Sequence, residues 1–482
     1  MTIVRSARAT QRWVLALASA ASLMVALDQL VVATALSTIR QDLHASIATL
    51  EWTVNAYSLS FAVLLITGAA LGDRLGRRRM FVIGLLVFAV ASAACALAPT
   101  TGWLIAARTL QGVGSALVMP MAMALLTAAY PIEKRGAALG IFTALTGLAV
   151  VGGPVIGGAV TQGLAWQWIF WINVPIAAIV IPLVLTKIDE SFGARTRADL
   201  GGIVLAAGGM LGLVWGLVRG NTVGWASGET LGTLLGGALL TAAFVLWEQR
   251  SSEPMLPMHF FRIRAFSAGN VSTLLLFASL FSAVFFFAQY LQISLGYGPL
   301  AAGLRFMPWT ATLFVVAPLA GVLTDRIGSR PLIVAGLTLQ GLGMAWIAVN
   351  ASNDRPYTSS IVALVIAGCG TSMAMPAGQN AVMNSVPMAA VGKAAGAFNT
   401  LRQLGGVFGI AVLAAIFASR GSYASPQAYT DGFVPAMAAS AVLALAGAVA
   451  GLATPGRTRT APSVSEPTQD DDLAEVAPIR VH

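Results

Sequence analysis

The sequence predicts an all-α polytopic membrane protein made of two related six-helix halves with a two-helix insert between them. Composition, the spacing of apolar runs with their flanking charges, and an internal repeat predict it. Of 482 residues, 57% are hydrophobic and only 10% are charged, against roughly 25% charged in a soluble globular chain. A water-soluble core does not hold that much apolar sequence. A bilayer does, because a helix of about 20 apolar residues spans it with its backbone hydrogen bonds made internally. The 50 glycines and 21 prolines fit the same setting, where Gly lets helices approach closely.

Apolar runs of spanning length fall at 13–39, 52–72, 80–98, 103–128, 136–161, 168–186, 200–218, 230–247, 266–295, 301–323, 331–349, 359–383, 394–418 and 433–453, fourteen in all. Arg5, Arg8 and Arg12 ahead of the first run resemble a signal peptide. That run is too long for one and carries Asp28 at its middle, so it reads as a retained first span. With the N-terminus in the cytoplasm, alternation places 21 Lys and Arg on the cytoplasmic side and five outside, Arg108 and Arg402 lying within runs. The positive-inside rule therefore supports 14 spans in a bacterial plasma (inner) membrane with both termini cytoplasmic. It also accounts for the net charge of +9 without a nucleic-acid partner. Cys95 and Cys369 sit in apolar runs and form no disulfide framework. Beyond Pro455 the chain turns polar, with Asp470, Asp471 and Asp472, and reads as a disordered tail.

The repeat divides the runs. Gly72-Asp73-Arg74-Leu75-Gly76-Arg77-Arg78 recurs as Thr324-Asp325-Arg326-Ile327-Gly328-Ser329-Arg330, offset by 252. From Gly112 to Phe142 the offset is 256, with nine identities in 31 positions, among them Pro120 with Pro376 and Phe142 with Phe398. The expected organisation is a cytoplasmic N-terminus (1–12), a six-helix half (13–186), a linker (187–264) with inserted helices at 200–218 and 230–247, a second half (265–453), and the tail (454–482).

Two six-span repeats with a basic Gly-Asp-Arg loop between spans 2 and 3 resemble the major facilitator superfamily. The two-helix insert resembles its 14-spanner drug:proton antiporter branch, over about residues 13–453. Four stretches carry the likeness. The first is the loop holding Asp73, Arg74, Gly76, Arg77 and Arg78, with its copy at Gly321, Asp325, Arg326, Gly328 and Arg330. Gly permits a tight turn and Asp73 can cap the next helix or pair with an Arg, a latch that could break and reform. The family has Gly four residues before the Asp. Ala69 stands there in the first copy and Gly321 in the second. The second stretch is Leu104–Gly114, where the resemblance links Arg108 to proton transfer. Snorkelling of Arg108 to the outer interface is the plainer alternative. The third is Gly147, Gly152, Gly153, Pro154, Gly157 and Gly158 in span 5. It resembles the exporter signature in which small residues and a proline bend seal one face. The fourth is span 1, where Asp28, Val31, Val32, Ala35 and Leu36 match and Leu30, Ala33 and Ser37 depart. Trp166–Pro175, with Asn173, and Asn399–Gln403 also look like this family.

Asp28 is the one carboxylate deep within a run. A carboxylate at that depth costs roughly 2.5–3.5 kcal/mol on insertion scales, and desolvation favours the neutral form of an acid. Both properties suit a group that exchanges protons, or a counter-charge for a cationic drug. The alternative is a structural acid paired with an Arg or Asn of a neighbouring helix.

Polar, aromatic and flexible residues at mid-span are the cavity candidates: Asn55, Tyr57, Gln111, Met119, Asn270, Gln289, Trp309, Gln379, Asn380, Asn399, Arg402 and Gln403, beside Asp28. Arg402 needs a counter-charge, from an anionic substrate group or from Asp28. There is no Gly-x-x-x-x-Gly-Lys-Ser/Thr loop, no HExxH and no Cys/His cluster. No cofactor, metal or enzymatic activity is expected. The resemblance implies a proton-coupled antiporter exporting amphipathic drugs or antibiotics, cationic ones included. Its partners would be a small-molecule substrate, protons and membrane lipids, and its transport unit a monomer. Export of one dedicated endogenous compound (antibiotic, lipid or siderophore) is the alternative.

Overall fold

The computed structural model describes residues 7–193, 199–251, 254, 256–353, 356–387 and 391–456. The expected tail lies almost wholly outside these residues, as do Arg5, Arg195 and Arg197, and so does the side chain of Asp325. The chain is a multi-pass membrane protein of packed helices. The elements are α1 (Ala7–Asp42), α2 (Ile47–Leu75), α3 (Arg77–Ala96), α4 (Thr101–Ala129), α5 (Ile132–Gly163), α6 (Trp168–Trp171), α7 (Asn173–Lys187), α8 (Leu200–Val223), α9 (Gly228–Arg250), α10 (Arg264–Ile293), α11 (Pro299–Leu304), α12 (Met307–Thr310), α13 (Thr312–Ile327), α14 (Ser329–Asn350), α15 (Thr358–Met383), α16 (Val391–Arg420) and α17 (Pro426–Leu452). Each of the fourteen apolar runs falls in a helix, or in a helix broken into short pieces at 168–187 and 299–327. Among the described residues, eleven are long and apolar enough to cross a membrane, and α2, taken as one bent span, is a twelfth. Run 136–161 lies in the 32-residue α5, and run 200–218 matches a shorter apolar stretch, Gly201–Leu217, in α8.

Helix ends follow local chemistry. Ser46, Thr100, Ser227 and Ser425 each accept a backbone N–H three residues on, capping α2, α4, α9 and α17. Gly76 (φ +110°) and Gly328 (φ +87°) turn α2 into α3 and α13 into α14 within one residue, a backbone region that L side chains avoid. α1 (Ala7–Asp42) is already helical at Ala7, the first described residue, six residues before the apolar run.

α1–α7 pack as one bundle and α10–α17 as another, with the same crossings in register. A side chain on Gly112 would strike Tyr57 and Ser60, and one on Gly368 would strike Trp309 and Thr312, which lie 252 residues further on. Gly114 sits against Gly84 and Phe88, and Gly370 against Gly336 and Gln340, with the same shift. The bundles meet through α1 with α10 and α11, α2 with α16, and α5 with α11. α8 and α9 pair with each other, and α8 leans on α2 and α16 at the seam, where Val214 joins Leu59, Val407 and Ala411.

Candidate functional site: a buried ion pair beside the seam

The sequence's deep acid and deep arginine meet. Asp28, midway along α1, and Arg108, on α4, are 3% and 1% exposed. Arg108 Nη1 donates to Asp28 Oδ2 at 2.5 Å and to Gln111 Oε1 at 2.7 Å, and its Nε donates to the Thr53 carbonyl at 3.1 Å. Gln111 Nε2 donates to Asp28 Oδ1 at 2.8 Å and to Ser92 Oγ at 2.7 Å. Asn173 Nδ2 donates to the same two oxygens at 3.0 and 3.2 Å. The guanidinium lies over the Tyr57 ring, 4.2 Å from its centroid, with Phe170 at 5.7 Å. Tyr57 donates its hydroxyl to the Val25 carbonyl (3.3 Å) and accepts from Ser115 (2.8 Å).

Local folding explains the convergence. Arg108, Gln111 and Ser115 are three and four residues apart and share one face of α4. Asn173 opens α7 just after the break at Ile172, which turns its amide toward Asp28. Arg108 therefore does not snorkel, and Asp28 is paired with both an Arg and an Asn. Both carboxylate oxygens are filled by donors from α4 and α7. Removing the charge of Asp28 would leave Arg108 a buried cation without its counter-charge.

One residue along α1, Gln29 faces the other bundle. Its Nε2 donates to Gln403 Oε1 at 3.1 Å. Gln403 Nε2 and Arg402 Nε are buried with no hydrogen-bond partner among the described residues. Arg402 lies over Phe277, 5.4 Å from its centroid. Thr400 donates to the Ala62 carbonyl at 3.4 Å, Gln292 Nε2 donates to the Thr34 carbonyl at 3.1 Å, and Ser37 donates to Gln292. A cavity of only about 20 Å³ remains there, lined by Gln29, Leu30, Ser58, Phe281, Phe285 and Gly406 among others.

The glycine motif of α5 forms the adjoining wall. A Cβ on Gly153 would strike Leu30, and one on Gly157 would strike Val31 and Thr34, so this face seats α1. Gly158 abuts Pro299 and Leu300, while Gly303 abuts Pro154 and Val155, so the next face seats α11 of the other bundle. Gly147 and Gly152 make only ordinary contacts, with Leu313 and with Leu27 and Ile156.

In the basic loop, Asp73 pairs with Arg77 at 2.8 Å and its carbonyl accepts from Gly193 N. Capping of α3 falls instead to Glu190, whose carboxylate accepts from Arg78 N (2.8 Å) and Arg79 N (3.2 Å). Arg78 Nη1 also donates to the Ile188 carbonyl. Arg74, Arg326 and Arg330 are exposed, and among the described residues nothing lies within 4 Å of a Cβ built on Gly321.

The remaining cavity candidates are scattered. Met119 packs on the first bundle's core, and Asn270 and Asn399 return their amides to carbonyls one turn back, Phe266 and Ala395. Gln289 accepts from Tyr423 (2.6 Å), and Trp309 reaches Thr371 (3.4 Å). Gln379 is exposed and Asn380 half-buried. Asn55 is fully buried, with neither amide atom bonded among the described residues. Sequence reasoning missed Ser92 and Glu190 and assigned Asn173 no role. A lone serine at mid-run is a weak signal, and Glu190 lies 112 residues from the amide it caps.

The sequence matches the profile of the Major Facilitator Superfamily over residues 18–409 and 269–480. It is 35% identical over 415 residues to the tetracenomycin C resistance and export protein of Streptomyces glaucescens, covering 86% of this chain and 77% of that one. It is 35% identical to the cephamycin export protein CmcT of Amycolatopsis lactamdurans, covering 96% and 98% of the two chains. The multidrug resistance protein Stp of Mycobacterium tuberculosis is 34% identical, over 82% and 74%. Among solved structures, a POT family transporter in complex with 5-aminolevulinic acid superposes with a TM-score of 0.67 at 16% identity, over 92% of this chain and 96% of that one.

Proposed function

The chain belongs to the Major Facilitator Superfamily, and from that membership we propose a proton-coupled antiporter with Asp28 as its proton-carrying group. It is a drug exporter of the kind its relatives are named for: tetracenomycin C export, multidrug resistance, cephamycin export and puromycin resistance. The observation that carries the coupling reading is the Asp28–Arg108 pair, fully buried and held by Gln111 and Asn173. A charge pair at bilayer depth is costly, and such intramembrane acids mark proton relays. In the unprotonated form Asp28 ties α1 to α4 and α7. Protonation releases Arg108 and loosens α1, whose next residues pack on α5 and reach across the seam to α16 and α10. Alternating access of two bundles around a central site is the general scheme for transporters of this build, and the scheme is that of the superfamily rather than of this chain alone.

Our reading of the surroundings is a bacterial plasma membrane crossed 14 times with both termini cytoplasmic, the unit acting as a monomer in contact with lipid. Contacts between the bundles gather from mid-membrane toward the α1–α2 turn. This supports an arrangement closed to the outside. The loop with Asp73 paired to Arg77 within its own bundle fits a cytoplasmic latch in its unengaged position. The test is proton release from purified protein on addition of a transported drug, wild type against Asp28→Asn. Loss of release with retained drug binding is expected. Undiminished release in the variant would remove Asp28 from the role.

A further inference from the structure

We propose that Arg402 sets the charge class of the exported compound: the seam takes amphipathic aromatic molecules bearing an oxyanion, such as a carboxylate or phenolate. This rests on the exporter reading above and deepens it.

Arg402 lies eleven residues into α16, which starts at Val391, roughly 16 Å along the helix axis. A guanidinium so deep in a membrane helix is tolerated where it meets a counter-charge, water or a ligand. Among the described residues no carboxylate lies within ion-pair distance of it. Asp28, the acid closest to mid-membrane, is committed to Arg108. Among the described residues, the mid-membrane core thus carries one compensated pair, Asp28–Arg108, and at Arg402 a positive charge with no ion-pair partner.

The unfilled hydrogen-bonding groups beside it have the same polarity. Among the described residues, Arg402 Nε and Gln403 Nε2 are both buried donors without a partner, whereas the oxygen of Gln403 already accepts from Gln29. Two free donors and one free positive charge call for an acceptor that carries negative charge, and guanidinium–oxyanion bonds are the strong, charge-assisted kind. Next to them stand apolar rings, Phe277 under Arg402 and Phe281 on the cavity wall, which suit the flat apolar part of such a molecule. A permanent cation would find no free carboxylate here and would face Arg402.

The probes are three aromatic acids and their ethyl esters, among them rhodamine B and rhodamine B ethyl ester, which differ by one carboxylate. Binding to the purified full-length chain is read by fluorescence anisotropy. Transport is read in proteoliposomes under an imposed proton gradient. The acid-to-ester ratio is the quantity of interest, because expression and folding level cancel in it. Wild type is expected to favour the acid. Arg402→Gln should lower the ratio about tenfold, in line with a hydrogen bond to a charged group, and Arg402→Lys should restore part of it. An unchanged ratio in Arg402→Gln, or a wild type that takes esters and refuses acids, overturns the inference and leaves the exporter reading standing. A wild type that carries no member of any pair under a proton gradient overturns that reading and this inference together. If Arg402→Gln stops transport altogether, anisotropy decides. Selective loss of acid binding upholds the proposal, and equal loss of acid and ester binding overturns it.

Discussion

Asp28→Asn separates what the buried pair does for stability from what it does for coupling. The substitution keeps the shape of the side chain and an oxygen that can still accept from Gln111 and Asn173. It removes the charge facing Arg108 Nη1 at 2.5 Å. Arg108, 1% exposed, is then a buried cation without its counter-charge, and removing one partner of a buried pair costs about 3–5 kcal/mol. Substituting both members, Asp28→Asn with Arg108→Gln, leaves two neutral polar side chains. Replacing both members of a buried pair is often near neutral, so most of the lost stability should return, to within about 1–2 kcal/mol of wild type. Unfolding in mixed micelles, followed by tryptophan fluorescence, gives the four corners of this cycle. Proton release on drug addition gives a second cycle on the same samples. The expected outcome is that stability recovers in the double variant and proton release does not. A single variant as stable as wild type would mean that the pair does not hold α1 to α4. A double variant that regains proton release would place the proton elsewhere.

Four further substitutions probe the surrounding framework. Gly158→Leu should reduce drug efflux from cells to background, because its side chain would displace Pro299 and Leu300 where the bundles meet. Gly147→Ala, which faces only Leu313 at 4.0 Å, should retain efflux near the wild-type level. Gly76→Ala should destabilise the chain by about 1–3 kcal/mol in the same unfolding assay, since φ is +110° there and the new methyl would press on Glu190. Glu190→Ala should cost roughly 0.5–2 kcal/mol, the range of a lost N-cap, with faster amide exchange at Arg78 and Arg79 as its local signature.

The helices were legible because the bilayer imposes one rule, about 20 apolar residues per span, and that rule is read locally along the chain. Asp28 and Arg108 stood out for the same reason: an ionised residue inside an apolar run breaks the rule visibly. Their pairing was less legible. The two lie 80 positions apart, the repeat partner of Arg108 is Leu364, and nothing along the chain states which faces of α1 and α4 meet. Ser92 and Asn173 were harder still, since a serine or asparagine in a run is equally a hydrogen bond to its own helix, as Asn270 and Asn399 turn out to be. The glycines of α5 read as a smooth face. Sequence did not distinguish Gly153 and Gly157, which seat α1, from Gly158, which seats α11, because a rotation of 100° per residue separates intra-bundle from inter-bundle contact. Capping of α3 by Glu190 rather than Asp73 depends on the return of the chain after α7, a tertiary event.

The physical link between charge and movement runs along a single turn and a half of α1. Asp28 takes the donors of α4 and α7. Gln29 crosses to Gln403 on α16. Leu30, Val31 and Thr34 fill the glycine face of α5, and the Thr34 carbonyl accepts from Gln292 on α10. A helix this closely seated cannot rotate or slide at position 28 without shifting its partners at 29 to 34, since packed interfaces resist continuous deformation. A protonation of Asp28, as proposed above, would therefore act on both the pair and the seam. Arg402 stands next to Gln403, the α16 residue that Gln29 of α1 contacts across that seam. A proton arriving at Asp28 and an oxyanion leaving Arg402 would thus be read by the same segment, which is what exchange of one for the other requires.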